Sequence, residues 1–316
     1  MERLAQSAGE AGARIQADTA VLRLITEADG TVVGVVARQY GDVQYIRARR
    51  GVVLAARGFV YNNDMLHQYA PTLLGHAKVG TDHDDGCAIR MAQAVGAAAK
   101  RMDGGQSAIL ASPQLLARGI LVNARGHRFI NEDTYPGRVG QMTLFHQEGR
   151  GFLIVDEETF ESVPEIERMG MQPVAVCETV AELEAEIGLP ARSLQATVEV
   201  YNHHAEHGED PVCHKNSRWV KPLGSPIGAI DIRGRRDIGS DAVEDFGTGF
   251  AVFTVGGLHS TLDGEVLDLD GELIPGLFAA GRTTSGIQAW GYISGTSLGE
   301  STFFGRRAGR AVAEVR

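Results

Sequence analysis

The sequence has few cysteines, and they lie far apart. Cys87, Cys177 and Cys213 include no CxxC pair. Structural zinc sites need closely spaced cysteines, and disulfide frameworks need many of them. We therefore expect neither a metal site nor disulfide bonds, and a reducing compartment fits this composition.

An excess of positive charge is also lacking, as are long hydrophobic runs. Lys and Arg number 30 against 40 Asp and Glu, which gives a net charge of −10 and a pI near 5.5. Nucleic-acid binding needs a basic surface, so no nucleic-acid partner is expected. No segment approaches the roughly 18 consecutive apolar residues of a membrane span, and the N-terminus lacks a signal-peptide core. The sequence predicts a cytoplasmic protein that is not an integral membrane protein.

Hydrophobic patterning divides the chain into three parts. Asp29-Gly30 separates two alternating segments and predicts a hairpin, whereas the continuous apolar run 51–56 predicts a strand buried on both faces. From about residue 109 the strands become shorter and helices are predicted near 180–187 and 194–206. The last 70 residues return to the glycine-rich style of the first part. We predict two parts of one discontinuous α/β domain, 1–108 and 246–316, with residues 109–245 inserted between them.

The last part contains the strongest functional signal. A short buried strand ends at Gly281, a loop crosses, and the small-residue run within 291–299 opens a helix. A helix from Thr302 to Val315 is predicted to close the chain. The N-terminus of a helix presents unpaired N–H groups and a positive dipole end, which suit the electron-rich edge of a flavin. A well-packed corner between strand, loop and helix is the alternative interpretation.

This block resembles the C-terminal signature of the FAD-binding flavoproteins related to fumarate reductase, and it is most similar to the 3-ketosteroid dehydrogenase branch of the Δ4-(5α) type. Four further segments resemble motifs of that family in the same order. They are Val53 to Phe59, His83 to Gly86, Gly126 to Glu132 and Thr254 to Leu258.

The resemblance implies a fold and a set of cofactor contacts. The expected fold is an FAD-binding Rossmann-like domain of the glutathione-reductase type, with an inserted α+β domain that caps the substrate. Asp85 is either an FAD contact or a helix cap. The FAD contacts that the resemblance implies are Val21, Ala55, Ala56, Gly58, Asp85, Gly281, Arg282, Gly295, Thr296, Ser297 and Leu298.

Three departures from the family pattern stand out. Arg57 replaces a glycine of the Ala-x-Gly-Gly-Phe turn, and Arg282 stands where the fumarate reductases have glutamate. The GxGxxG motif that holds the FAD pyrophosphate is absent, so the first βαβ unit is expected to be missing. We expect a fragment, a misplaced gene start or a degenerate remnant, and a separate N-terminal segment or chain is a possible partner.

The substrate is expected to be hydrophobic. The cationic groups that bind a dicarboxylate in the fumarate reductases are replaced here by the segments 133–136, 252–253 and 292–295. The resemblance implies that Tyr135 and Tyr292 divide the roles of base and carbonyl polariser, with Ser294 as a proton relay or hydrogen-bond partner. Ordinary packing is the alternative for each tyrosine.

The predicted function is therefore FAD-dependent desaturation of a 3-ketosteroid or a similar cyclic ketone, with transfer of electrons to an acceptor. The alternatives are a reductase of fumarate or another enoate, and a non-catalytic fragment of such an enzyme.

Overall fold

The computed structural model describes residues 2–233, 249–288 and 291–315. The first part contains α1 (Glu2–Glu10), β1 (Thr19–Thr26), β2 (Val32–Gln39), β3 (Asp42–Arg47), β4 (Val52–Leu54), α2 (Asn63–Tyr69), β5 (Ala77–Lys78), α3 (Cys87–Gln93), β6 (Ala99–Lys100) and β7 (Gly105–Leu110).

The middle and last parts follow in the same order. They contain α4 (Pro113–Arg118), β8 (Ile120–Asn123), α5 (Pro136–His146), β9 (Gly151–Asp156), α6 (Glu157–Ser162), β10 (Ala175–Cys177), α7 (Val180–Glu186), α8 (Ser193–Ala205), β11 (Ile227–Asp231), β12 (Gly249–Thr254), β13 (Gly257–Leu258), β14 (Glu265–Leu267), β15 (Leu273–Ala279) and α9 (Thr296–Glu314).

The predicted hairpin is confirmed. β1 pairs antiparallel with β2, and β3 adds to the other edge of β2. At the turn, the Asp29 carboxylate accepts a hydrogen bond from the Thr31 N–H at 2.9 Å, and Gly30 adopts φ +88°. Glycine is the residue that reaches this left-handed conformation without a steric penalty, so the turn follows from local chemistry alone.

The strand predicted at 51–56 forms, but the prediction that it is buried on both faces is wrong. β4 covers only Val52–Leu54, and its parallel neighbour is β15. The described strands of this sheet run in the order β14-β15-β4, so β4 lies at the edge. Leu54 is buried while Val53 is 38% exposed, and Ala55 and Ala56 beyond it are exposed. An apolar run reports hydrophobicity but not the number of neighbouring strands.

One mixed sheet joins the first part to the last. β12 pairs parallel with β5 and antiparallel with β7. β7 begins before residue 108 and ends after it, so the predicted domain boundary at 108/109 falls inside a strand. The second boundary, at 245/246, lies outside the described residues. The division into domains remains a prediction.

The middle part has its own sheet and its own core. Its strands run β10-β11-β9-β8, all antiparallel. The predicted helices appear as α7 and α8, and α7 starts with a capping box between Thr179 and Glu182. Apolar residues of these helices and of β8 and β11 form a core separate from the main one.

α9 closes the chain as predicted, although it starts six residues earlier than Thr302. Along its 19 residues, the structure buries Glu300 and Ala308. Among the described residues, no helix is long and apolar enough to cross a membrane.

Candidate functional site at the ends of two parallel strands

The predicted cofactor residues gather where β4 and β15 end. Leu54 lies opposite Ala279, and the Ala280 N–H donates to the Leu54 carbonyl at 3.0 Å. Parallel strands have their carboxyl ends at the same edge, where open α/β sheets bind ligands. Ala55, Ala56 and Gly281 therefore lie together at this edge.

Gly58 lies in the same region because the backbone passes close to β12. The Thr254 hydroxyl accepts a hydrogen bond from the Phe59 N–H at 3.1 Å. A Cβ atom on Gly58 would lie 2.5 Å from that hydroxyl oxygen. Only glycine fits here without displacing the buried Thr254, which agrees with the motif that identified the segment.

The N-terminus of α9 faces the same strand ends. Gly295 takes the N-cap position in a left-handed conformation, with φ +93°, and no side chain caps the helix. Thr296 instead bonds within the loop, since its hydroxyl donates to the Ile293 carbonyl at 2.6 Å and accepts from Gln288 at 2.7 Å. The exposed side of this first turn includes Leu298, which is 77% exposed.

Two predicted contacts stand apart from this arrangement. Val21 lies on β1, in the separate hairpin sheet, and is 39% exposed. The Asp85 carboxylate accepts a hydrogen bond from the Cys87 N–H, the first residue of α3, at 2.9 Å. Gly86 occupies the N-cap position of α3, so Asp85 bonds to the first N–H of the helix from one residue before the cap and is not the N-cap predicted as its alternative.

Asp84, its neighbour, is the residue that the sequence analysis missed. It is fully buried, and its Oδ2 pairs with Arg282 Nη2 at 2.8 Å. The other oxygen lies 3.8 Å from Arg57 Nε, which is too far for a hydrogen bond, and it accepts none from the described residues. A side chain on Gly80 would collide with this carboxylate.

Two members of this cluster, Arg57 and Arg282, stand at departures from the family pattern that the sequence analysis identified. Arg57 also adopts φ +65°, the left-handed conformation that suits the glycine it replaces. A comparison of charge at the departing positions was the signal that could have found Asp84.

Arg282 extends this cluster towards a predicted catalytic residue. Its guanidinium carbon lies 5.2 Å from the centre of the Phe253 ring. Phe253 in turn meets Tyr292 edge to face, with ring centroids 5.0 Å apart and planes at 87°. Rings at this distance and angle attract each other through their quadrupoles, so Phe253 fixes one side of Tyr292.

Tyr135 lies at the start of α5, beside β7. Its ring and the Gln106 amide both lie within 3 Å of the point where a Cβ of Gly137 would sit. Gln106 on β7 is the antiparallel partner of Phe253 on β12, and directly opposed residues of this kind project on the same face of a sheet. One pair of strands therefore connects the surroundings of Tyr135 and Tyr292.

The remaining polar groups near the tyrosines differ in their bonding. The Gln106 side chain is buried and its Oε1 accepts no hydrogen bond from the described residues. Ser294 is exposed, two residues after Tyr292. A buried acceptor without a hydrogen bond costs free energy, so Gln106 Oε1 is available to accept a hydrogen bond from a bound molecule.

Comparison with known proteins decides the family. A model described as an FAD binding domain matches residues 1–298. The chain belongs to the FAD-binding domain family.

The most informative relatives are steroid and fumarate enzymes. The chain matches the crystal structure of 3-ketosteroid-Δ4-(5α)-dehydrogenase from Rhodococcus jostii RHA1 with a TM-score of 0.88 and 49% identity, over 98% of this chain and 62% of that one. It is 28% identical to 3-oxosteroid 1-dehydrogenase of Mycobacterium tuberculosis, over 96% of this chain and 60% of that protein. It is 25% identical to a probable fumarate reductase of Shewanella frigidimarina, over 99% of this chain and 53% of that protein. The chain thus spans little more than half the length of these relatives.

The residues at the strand ends fit the FAD that this family binds. Gly58 leaves no room for a side chain, and Gly281 and Gly295 have positive φ angles of 63° and 93°. The small exposed residues Ala55 and Ala56 leave the strand edge open to a flat ring system. The prediction of FAD as the cofactor is confirmed at the level of the family.

Two further residues that sequence reasoning missed hold the loop before Tyr292. Arg101 Nη2 donates to the carbonyls of Ser285 and Gly286, at 2.8 and 2.5 Å. The Glu300 carboxylate accepts from the Ile287 N–H at 3.1 Å, and burial raises the pKa of Glu300. Arg101 is far from the loop in sequence and lies in no motif, so the sequence contained no signal for it.

A cavity of about 480 Å³ elsewhere is not part of this site. It lies in the middle part beside α8, and Arg192, Val200 and Val212 are among its lining residues. None of the predicted site residues lines it. We therefore assign the candidate site to the strand ends and the two tyrosines.

Proposed function

We propose that this chain provides the substrate side, and part of the flavin side, of an FAD-dependent oxidoreductase that dehydrogenates a 3-ketosteroid or a similar hydrophobic cyclic ketone. The main support is the β7–β12 strand pair, because the Gln106–Phe253 register links Tyr135 to Tyr292 beside the strand ends. The 49% identity to a 3-ketosteroid dehydrogenase supports the substrate class.

The proposed architecture is a discontinuous Rossmann-like domain with an inserted cap. Residues 1–108 and 246–316 form the FAD-binding domain, and residues 109–245 form the substrate cap. An apolar cluster confined to the middle part supports this division, while the main core includes residues of all three parts, Leu121 and Leu153 among them. A preceding segment or a second chain with the GxGxxG motif completes the pyrophosphate site.

The FAD contacts proposed for this chain come from three segments. Ala55, Ala56 and Gly58 follow β4, and Gly281 with Arg282 follows β15. The first turn of α9 adds the backbone of residues 295–298. Val21 and Asp85 complete the set. Val21 lies on the hairpin sheet, and the Asp85 carboxylate bonds to the first N–H of α3.

The two tyrosines share the proton chemistry in this proposal. Desaturation removes a hydride and a proton from neighbouring carbons, and bound FAD supplies the hydride acceptor. One tyrosine, as its phenolate, takes the proton from the carbon beside the carbonyl and becomes the phenol, while the other donates a hydrogen bond to the carbonyl oxygen as negative charge develops there. Ser294 passes the proton on or bonds to Tyr292. An external acceptor then takes the electrons.

The apolar surroundings of Tyr292 favour a ketone over a dicarboxylate. Phe253 packs against Tyr292, and Arg282, the cation over the Phe253 ring, is bound to Asp84. A dicarboxylate needs cations that are available for its two carboxylates. A fumarate or enoate reductase is therefore the second candidate, supported by the relatives of that class.

The first test is whether the chain binds flavin. We expect the purified chain, incubated with FAD and then desalted, to retain flavin absorbance in stoichiometric amount. A colourless protein would contradict binding by this chain alone, and the dehydrogenase assignment would then belong to a complex with the preceding segment.

The second test is turnover of a 3-ketosteroid by the flavin-loaded protein. Loss of an acid–base group costs about 10² to 10⁴ in kcat, so Tyr292→Phe should lower kcat by that factor. Tyr45→Phe, on the exposed face of β3, is the matched control. Turnover of fumarate in place of a steroid would overturn the proposed substrate class.

A further inference from the structure

The structure points to Asp84 and Arg282 as positioning residues that fix Tyr292 through the ring of Phe253. This inference rests on the proposed role of Tyr292, but its contacts are present in the chain itself. It assigns a function to a pair of charges beside the strand ends, Asp84 and Arg282.

The first step is the anchor. Asp84 is fully buried between Gly80 and Arg282. Two backbone hydrogen bonds hold it in place. The Asp84 N–H donates to the Thr81 carbonyl at 2.7 Å, and the Asp84 carbonyl accepts from the Tyr61 N–H at 2.9 Å. A buried carboxylate with a fixed backbone cannot follow a moving partner. The charge-assisted bond at 2.8 Å therefore fixes the guanidinium of Arg282.

In the second step, the fixed guanidinium of Arg282 restrains the aromatic pair Phe253 and Tyr292. The side chain of Arg282 is 20% exposed, and its planar guanidinium lies over Phe253. Such a contact is worth about 0.5 to 2 kcal/mol, depending on how far the cation is removed from water. Phe253 stands on β12, whose backbone is bonded to β7 on one side, so the ring has a rigid base.

The third step is the tyrosine itself. Tyr292 lies in the loop between β15 and α9, without a regular element of its own. Its ring contacts Phe253 edge to face. A loop residue keeps one ring orientation only if its neighbours fix it, so the order of Tyr292 depends on Phe253 and, through it, on Arg282.

The test uses the chain labelled with 3-fluorotyrosine and no added flavin. The sequence contains seven tyrosines, and Tyr292→Phe identifies the fluorine resonance of Tyr292. We expect Arg282→Gln and Asp84→Asn each to move or broaden this resonance by more than its wild-type linewidth, while the Tyr135 resonance stays in place.

The matched control is Arg57→Gln. Arg57 has the same charge and faces the same carboxylate, but it contributes no ring contact. We expect the Tyr292 resonance to be unchanged in this variant. A shift as large as that of Arg282→Gln would overturn the route through Phe253, since charge on Asp84 alone would then explain the effect.

Arg282→Lys separates the ion pair from the ring contact. Lysine can pair with Asp84 but lacks the planar guanidinium. We expect its Tyr292 resonance to lie between those of the wild type and Arg282→Gln. An unchanged Tyr292 in Arg282→Gln, or an equal shift of all tyrosines, would overturn the inference.

The outcomes are separable from those of the proposed function. A shifted Tyr292 in a chain that binds no flavin would support the positioning role and contradict flavin binding. An unmoved Tyr292 in a chain that binds flavin and turns over steroid would do the reverse. Folding of each variant is checked by its thermal unfolding midpoint.

Discussion

Arg128 and Arg282 each bind a buried carboxylate, but the surroundings of the two pairs differ. Arg128 bonds to Glu132 and to Asp210, with Nη2 at 2.8 Å from both. Lys215 Nζ lies 3.1 Å from Glu132 as well, and the side chains of all four are at least 96% buried. Arg282, by contrast, shares its carboxylate with the half-exposed Arg57.

The middle cluster is closed. Glu132 also accepts the Leu121 N–H at 2.8 Å, and Lys215 donates to the Gly119 carbonyl. Glu132 thus both pairs with Arg128 and accepts a backbone N–H. Two cations and two anions cancel in charge, and each of the four charged groups has a partner among the described residues.

The cluster at the strand ends is open. Two arginines face one carboxylate, which leaves a net positive charge, and one oxygen of Asp84 remains without a hydrogen bond from the described residues. The comparison teaches that the same residue types build a structural unit when every group is paired, and a candidate functional unit when one is left over.

Breaking the closed cluster around Arg128 should cause the largest loss in the free energy of unfolding. Glu132→Gln leaves Arg128 and Lys215 buried with one anion, and breaking a buried pair costs about 3–5 kcal/mol in the free energy of unfolding. Urea denaturation measures the loss. Glu161→Gln is the control, since its carboxylate is 64% exposed beside Arg168 and should cost at most about 1 kcal/mol. Equal losses would contradict the comparison.

Acid should loosen the closed cluster next. Burial acts to raise the pKa of Asp210, but the hydrogen bonds and charge of Arg128 outweigh it and lower that pKa to about 2 from 3.8. The folded pKa is the lower one, so its stabilisation is complete above about pH 4 and is lost as the pH falls through 2. The shift corresponds to about 2 kcal/mol. Denaturation at a series of pH values should show a shallower dependence in Asp210→Asn. An unchanged slope would contradict this prediction.

The open cluster should respond less strongly. Asp84→Asn removes a charge-assisted hydrogen bond, but both arginines can turn to water, so we expect a loss of about 1–2 kcal/mol. The same urea measurement gives the value. A loss as large as that of Glu132→Gln would mean that the Asp84 cluster contributes as much to stability as the Arg128 cluster, which would contradict the comparison.

The smallest expected change in stability concerns the backbone conformation at Arg57. Arg57→Gly and Arg57→Ala both remove the guanidinium, but only glycine adopts φ +65° without strain. We expect the glycine variant to be the more stable by about 1 kcal/mol. Thermal unfolding of the pair measures this difference, and a more stable alanine variant would show that the turn relaxes.

Local chemistry explains how much of the fold could be predicted. The Asp29-Gly30 turn acts within four residues and appears as the sequence predicted. The helix predicted near 180–187 also forms, and the structure adds the Thr179 capping box at its start. The burial of the segment 51–56 could not be predicted in the same way. It depends on which strands lie beside β4, and that is decided by residues more than 200 positions away.

The sequence by itself determined the family and the segments that build the site. The glycines at 58, 281 and 295 meet local backbone requirements, a close approach or a positive φ angle. Such requirements can be recognised in the sequence without knowledge of distant residues. Only the tertiary structure decided that Asp84, and not Asp85, meets Arg282. These two residues are 198 positions apart. A charge carries no mark of its partner in the sequence, because the partner is selected by the packing of β4, β15 and the loop before α3.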